Sequence, residues 1–153
     1  VFGDAWVFGN AWVFGDARVF GDAQVFGNAR VFGDARVSGD AWVSGDARVF
    51  GDAWVFGNAW VFGDARVSGD ARVSGDAWVS AQKDIMTVLD VGSERGCLTI
   101  HKDGKIGVRV NRGCFSGEIS EFLDAVKSTH GDNIYGKIYI ALINVAKIQF
   151  WLD

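Results

Sequence analysis

The stretch that decides the fold is VFGDAWVFGNAWVFGDAR, residues 1–18. It is three copies of one hexapeptide, and the pattern runs unbroken to VSGDAW at residues 73–78, thirteen copies in all. Val, Gly and Ala hold the first, third and fifth positions of every copy. The second is Phe or Ser, the fourth Asp or Asn, and the sixth Trp, Arg or Gln. A fourteenth copy begins at Val79-Ser80 and dissolves at Ala81-Gln82-Lys83-Asp84. In the phase Ala-x-Val-Phe-Gly-Asp the first four residues alternate, Ala and Val pointing one way and x and Phe or Ser the other, which is the period of a strand. Gly followed by Asp or Asn suits a corner, because both tolerate backbone that other residues avoid. A glycine every six residues and the many valines disfavour a helix. A four-residue strand cannot bury its apolar face alone, whereas stacked coils can, with Val and Ala inside and ladder hydrogen bonds between coils.

Val at the first position, Ala at the fifth and Asp or Asn at the corner resemble the hexapeptide-repeat left-handed parallel β-helix superfamily, a triangular prism with three hexapeptides per turn. The resemblance covers residues 1–80. It implies the left hand, where the ordinary crossover rule favours the right. The fold class expected is therefore mainly β, a left-handed parallel β-helix over residues 1–80 followed by a small α+β capping domain over residues 81–153. With three copies per turn, residues 18 apart stack, and a little over four turns make a prism about 20 Å tall. Enzymes of that superfamily, acyltransferases and a class of carbonic anhydrases, use histidines on or between coils as base or zinc ligands. Residues 1–80 contain no His, Cys, Lys or Glu. Their chemistry is not carried over with the fold, and an acyltransferase-like or cysteine-dependent enzyme is the least favoured reading.

Taking every eighteenth residue sorts the outward positions into three faces. One carries Trp6, Gln24, Trp42, Trp60 and Trp78 beside Phe8, Phe26, Ser44, Phe62 and Ser80. The second carries Trp12, Arg30, Arg48 and Arg66 beside Phe14, Phe32, Phe50 and Ser68. The third carries Arg18, Arg36, Trp54 and Arg72 beside Phe20, Ser38, Phe56 and Ser74. Outward aromatics in these numbers either stack flat along the ladder on one another and on arginines or mark an interface. The candidate assembly or binding face is Trp6, Trp42, Trp60 and Trp78 with Phe8, Phe26 and Phe62. One corner column reads Asp16, Asp34, Asp52 and Asp70. It is a weak candidate for an oxygen-seeking cation such as Ca²⁺, the alternative being solvated carboxylates or acceptors at the bend.

Beyond Ala81 the composition changes. Ile85–Val91, Cys97–His101 and Lys105–Val110 read as strands, with a hairpin signal at Asp103-Gly104. A loop from Gly113 to Gly117 leads into a helix from about Glu118, with Ile119, Phe122, Leu123 and Val126 as its apolar stripe and Gly131 ending it. A second helix is expected from Asn133 to Phe150, with Ile138, Leu142, Val145 and Ile148–Gln149 on its buried side. The order is β-β-β-α-α. The stretch GCFSGEISEFLDAVKSTHGDNIYGKIYIALI looks like a small domain of uncharacterised bacterial and phage-related proteins, a likeness that implies no activity. Cys97, His101, Cys114 and His130 are candidate zinc ligands, and Cys114 with His130 a candidate nucleophile–base pair. The close pair of cysteines that a zinc site calls for is absent, so buried thiol and structural histidine are the favoured roles.

The remaining arithmetic narrows the classes. The 153 residues, with 49 % hydrophobic and 14 % aromatic, are too apolar for a disordered tail. The chain has 21 Gly but no Pro, which excludes collagen. A net charge of −4 leaves no footprint for nucleic acid, and no apolar run is long enough for a membrane span. The chain opens at Val1, in mid-pattern and without Met, so it is expected to be N-terminally incomplete, with an open coil end able to dock on another copy. The expected function is structural: a rod or spacer that self-associates into a homo-oligomer through its aromatic faces, its open end and the C-terminal domain. The alternative is an accessory module binding a glycan or another protein. No cofactor is expected.

Overall fold

The computed structural model describes residues 1–151 and builds the repeats into a parallel β-solenoid of about four turns. Thirteen two-residue strands, β1 to β13, follow one another every six residues from Trp6–Val7 to Trp78–Val79. They stack with an eighteen-residue register, Trp42 on Trp60 and Trp60 on Trp78, Arg48 on Arg66, Trp54 on Arg72. One side of the prism has five strands and the other two have four each. Every Val and Ala from Val19 to Val79 is buried in one continuous apolar column. The expected four-residue strands are shorter, because each glycine turns the chain at a positive φ, for example +69° at Gly57. The ladder nevertheless crosses the corners. On a typical side Trp42, Ser44 and Asp46 donate their backbone N–H groups to the carbonyls of Ala59, Val61 and Gly63 at 2.8, 2.9 and 2.9 Å. Glycine is required at the corner for a second reason: a Cβ on Gly45 would stand 2.9 Å from the backbone N of Gly63 in the next coil.

After a 3-10 turn at Gln82–Asp84 come four antiparallel strands, β14 (Ile85–Val91), β15 (Gly96–Asp103), β16 (Gly107–Arg112) and β17 (Phe115–Gly117), and then helices α1 (Ile119–His130) and α2 (Ile134–Gln149). β17 was expected to be loop; three residues are too few to show an alternation in sequence, and the order is β-β-β-β-α-α. The third strand starts two residues later than expected. Asp103 Oδ1 accepts the N–H groups of Lys105 at 2.8 Å and Ile106 at 3.1 Å, which holds them in the turn. Because side chains alternate along β15, the sheet has two different faces. Leu98 and Ile100 join Val108, Val110, Phe122, Val126 and Ile143 in a second core beneath the helices. Thr99, His101 and Asp103 face the last coil of the solenoid, and Ile85 closes the end of its apolar column. The layers therefore run solenoid, sheet, helix pair.

One expectation about α2 is overturned. Its buried side is Gly136, Tyr139, Ile143 and Ala146. Ile138, Val145 and Ile148 are exposed instead and Leu142 is only half-buried. The helix is apolar on opposite sides, so periodicity alone offers two equally good inner faces.

Candidate functional site

Two features stand out from the repetitive surface: the aromatic columns and the junction where the solenoid meets the sheet. The columns follow directly from the register. Trp42 and Trp60 stack with centroids 4.7 Å apart, and Trp60 and Trp78 with centroids 5.1 Å apart. That separation is the rise of one coil. Phe26 meets Trp42 edge-on at 5.8 Å, Phe62 meets Trp78 edge-on at 5.0 Å, and Phe8 stacks on Phe26 at 5.0 Å. Gln24 stands between Trp6 and Trp42 in the column, so Trp6 lies apart from the three-ring stack. On the second side Phe14, Phe32 and Phe50 form a further stack with 5.0 Å steps, and the Arg30 guanidinium lies over Trp12 at 5.9 Å. On the third, Arg36 lies 6.0 Å over Trp54, whose indole N–H donates to Ser38 Oγ at 2.9 Å.

The aspartate column Asp16, Asp34, Asp52 and Asp70 does not form a cage. Among the described residues no three His, Cys, Asp or Glu side chains converge to hold a metal, and this applies equally to Cys97, Cys114, His101 and His130. At the Asn-containing corner the side chains instead make a ladder, with Asn10 donating to Asn28 at 3.3 Å and Asn28 to Asp46 at 3.2 Å. Burial raises the Cys97 thiol above its ordinary value, which suits an inert thiol. Cys114 is exposed and lines, with His130, Arg112 and Tyr139, a shallow depression of about 250 Å³. Arg112 is already engaged there, donating to the Tyr139 hydroxyl at 2.9 Å and the Val91 carbonyl at 3.0 Å.

A cap from residues 81–153 was expected, but the side chains that form the junction were not singled out for that role. Along most sides each coil directs three N–H groups onto the next; on the third side Trp54, Phe56 and Asn58 donate to the carbonyls of Ala71, Val73 and Gly75, each at 2.9 Å. The equivalent donors of the last coil, Arg72, Ser74 and Asp76, have no further coil. They donate instead to side chains of one strand: Arg72 N–H to Thr99 Oγ1 at 3.0 Å, Ser74 N–H to His101 Nε2 at 3.3 Å, and Asp76 N–H to Asp103 Oδ2 at 3.3 Å. Donors and acceptors match because both sets recur at every second residue, Arg72, Ser74 and Asp76 against Thr99, His101 and Asp103. The Arg72 carbonyl is satisfied by Asn111 Nδ2 at 2.9 Å, and Gly104 N–H donates to the Asp76 carbonyl at 2.9 Å. On the neighbouring side Asp84 Oδ2 accepts from Ser80 N–H at 3.0 Å and Ala81 N–H at 3.1 Å. A row of side chains thus replaces the missing coil and blunts an edge that would otherwise pair with another strand.

The electrostatics of the junction follow from burial. His101 is fully buried, and its Nδ1 lies 2.9 Å from the Lys102 carbonyl, which places the proton on Nδ1 and leaves Nε2 to accept. Burial pushes its pKa down from 6.5 to about 4, against the opposing pull of the Lys102 carbonyl and Asp103. Burial would raise the Asp103 carboxyl, but Arg109 at 2.8 Å and the N–H groups of Lys105 and Ile106 outweigh it and hold the group below its usual value. Asp84 is likewise opposed by burial and held low by Lys102 at 2.9 Å and by Ser80. The alternation Thr99, His101, Asp103 against Leu98 and Ile100 is the signal that could have revealed this polar face.

Thirteen stacked hexapeptides and a side-chain cap define a β-solenoid repeat protein. Residues 23–39, 29–45 and 65–81 match the family model described as the YdcK beta solenoid repeat, and the matches do not extend past Ala81. No curated protein and no solved structure matches the chain.

Proposed function

We propose that this chain is a non-enzymatic structural β-solenoid, a rigid rod or spacer that self-associates through its aromatic faces and its C-terminal segment. The observation that carries this reading is the fate of the reactive side chains. His101, Asp103 and Asp84, whose titration the fold perturbs, are each engaged in closing the last coil rather than facing a cleft. The interior is built only of Val and Ala up to Val79, so coils are interchangeable and the number of repeats sets length. Large exposed apolar groups on the outside, among them Trp6, Trp12, Trp60 and Trp78, supply contact surface. Light scattering coupled to size-exclusion chromatography tests the reading. A concentration-dependent oligomer is expected, and a monomer at every concentration would sink it.

A second reading is favoured by one observation, the uninterrupted Trp42–Trp60–Trp78 stack, which presents a continuous aromatic strip suited to a glycan or an aromatic-rich partner protein. It predicts that Trp42→Ala with Trp60→Ala abolishes ligand binding while the oligomeric state is kept.

A further inference from the structure

The exposed side of α2 has a regularity that its position does not require. Ile134, Ile138, Ala141, Val145 and Ile148 are all exposed, Ile134 at 66 %, Val145 at 51 % and Ile148 at 79 %. They recur in steps of four and three residues, the spacing of a coiled-coil seam. The opposite side, Gly136, Tyr139, Ile143 and Ala146, is the one turned to the sheet and α1. A helix that had only to cover the sheet would carry polar residues on its outer side. This one carries a second apolar stripe about 21 Å long.

The charges on the same outer layer point to what covers it. The charged residues of α2 are Lys137 and Lys147, with no acid. α1, packed beside it, presents Glu118 at its start, Glu121 and Asp124 on its surface and Lys127 in its last turn, all exposed. Among the described residues none of these six groups takes part in an ion pair. The layer therefore combines an apolar seam with charged groups of both signs, Lys127, Lys137 and Lys147 with Glu118, Glu121 and Asp124, which is the composition of a self-complementary surface. An anionic membrane would meet the acids of α1 together with the seam, and a foreign acidic helix would leave those acids opposed by like charge.

We propose that the α1–α2 layer is a homodimer interface, in which the seam of α2 packs antiparallel on the same seam of a second copy and the lysines of one copy lie near the acids of the other. Two helical hairpins then form a four-helix bundle. The layer lies on the side of the sheet away from the solenoid, so this pairing joins two rods end to end through their capped ends. The inference deepens the self-association reading by assigning its contact, and it rests on that reading. One helix seam is small beside the roughly 1,200 Å² at the low end of specific interfaces, so the dimer is expected to be reversible.

The test uses the full chain in a concentration series by analytical ultracentrifugation. Ile138→Glu with Val145→Glu, both at exposed sites, should weaken dimerisation by on the order of tenfold or more while leaving the far-UV circular dichroism unchanged. Ala141 is at the middle of the seam, so Ala141→Cys in a Cys114→Ser background should give a covalent dimer on mild oxidation, whereas Ile134→Cys should not. A dimer that resists both glutamates and leaves Ala141→Cys uncrosslinked overturns the seam; if Trp42→Ala with Trp60→Ala then dissolves it, self-association survives through the aromatic face. A monomeric wild type overturns the seam and the self-association reading together, and the same result accompanied by binding to anionic phospholipid vesicles assigns the stripe to lipid.

Discussion

The solenoid and the C-terminal segment bury apolar surface by opposite means. In the solenoid the period of the sequence is the period of the structure, so each valine meets the valine 18 residues on and each corner glycine meets the next. In the C-terminal segment the core joins residues from β14, β15, β16, α1 and α2 that share no spacing. Every position of one region is thus interchangeable with its counterparts, while most positions of the other have one partner each. What the contrast teaches is how an open-ended stack is stopped. The repeat cannot end itself, because each coil offers donors that only another coil accepts, and an irregular segment is needed to supply acceptors at the same spacing.

The comparison can be broken most severely from inside the prism. Val43→Asp places a charge in a column with no polar partner and is expected to cost more than about 4 kcal/mol, seen as loss of the cooperative unfolding transition of the solenoid. Next comes the corner. Gly45→Ala meets both a positive φ and the backbone of Gly63, and should cost about 1–3 kcal/mol. Gly107→Ala has a positive φ of 83° but nothing within 4 Å, and should cost only about 1 kcal/mol. Thermal or urea unfolding of the two variants measures that difference between a stacked corner and an isolated turn.

The cap comes third. His101→Ala leaves the Ser74 N–H and the Asn111 amide without an acceptor, and should cost about 1–3 kcal/mol. The same group sets a pH dependence. Its folded pKa of about 4 lies below the ordinary 6.5, so the neutral form is the one that folding favours. The stability this provides is complete above pH 6.5 and is lost as pH falls from 6.5 towards 4. Protonation would also turn an N–H towards that of Ser74, with Arg109 adding repulsion and Asp103 opposing it. Asp84 and Asp103, both held low, add loss in the same direction at lower pH. Urea midpoints across that range should fall for the wild type and fall less for His101→Ala. The smallest expected effect is Ser38→Ala, which removes the acceptor of the Trp54 indole and should cost about 1 kcal/mol.

The reading of residues 1–80 needed no tertiary information. Alternation around Gly-Asp placed Val and Ala inside, and the three copies per turn implied by the resemblance placed Trp42, Trp60 and Trp78 in one column. Gln24 interrupting the column at Trp6 was equally readable. The strands Ile85–Val91 and Cys97–His101, the second extended to Gly96–Asp103 in the structure, and both helices were legible from pattern and turn residues. β17 was too short to be seen. The outer side of α2 was read as its inner side, since Ile138, Val145 and Ile148 fit helical spacing as well as Tyr139, Ile143 and Ala146 do.

What the sequence by itself determined is therefore everything that repeats: a local pattern recurring thirteen times encodes its own neighbour, because contact partners lie at a constant separation along the chain. What only the tertiary structure decided is where the repetition stops and which way the last helix turns. Thr99, His101 and Asp103 become acceptors for Arg72, Ser74 and Asp76 solely because the sheet lies across the final coil. One of two apolar stripes on α2 becomes core solely because the sheet is on that side. Both choices depend on contacts between elements far apart in sequence, and no spacing along the chain records them.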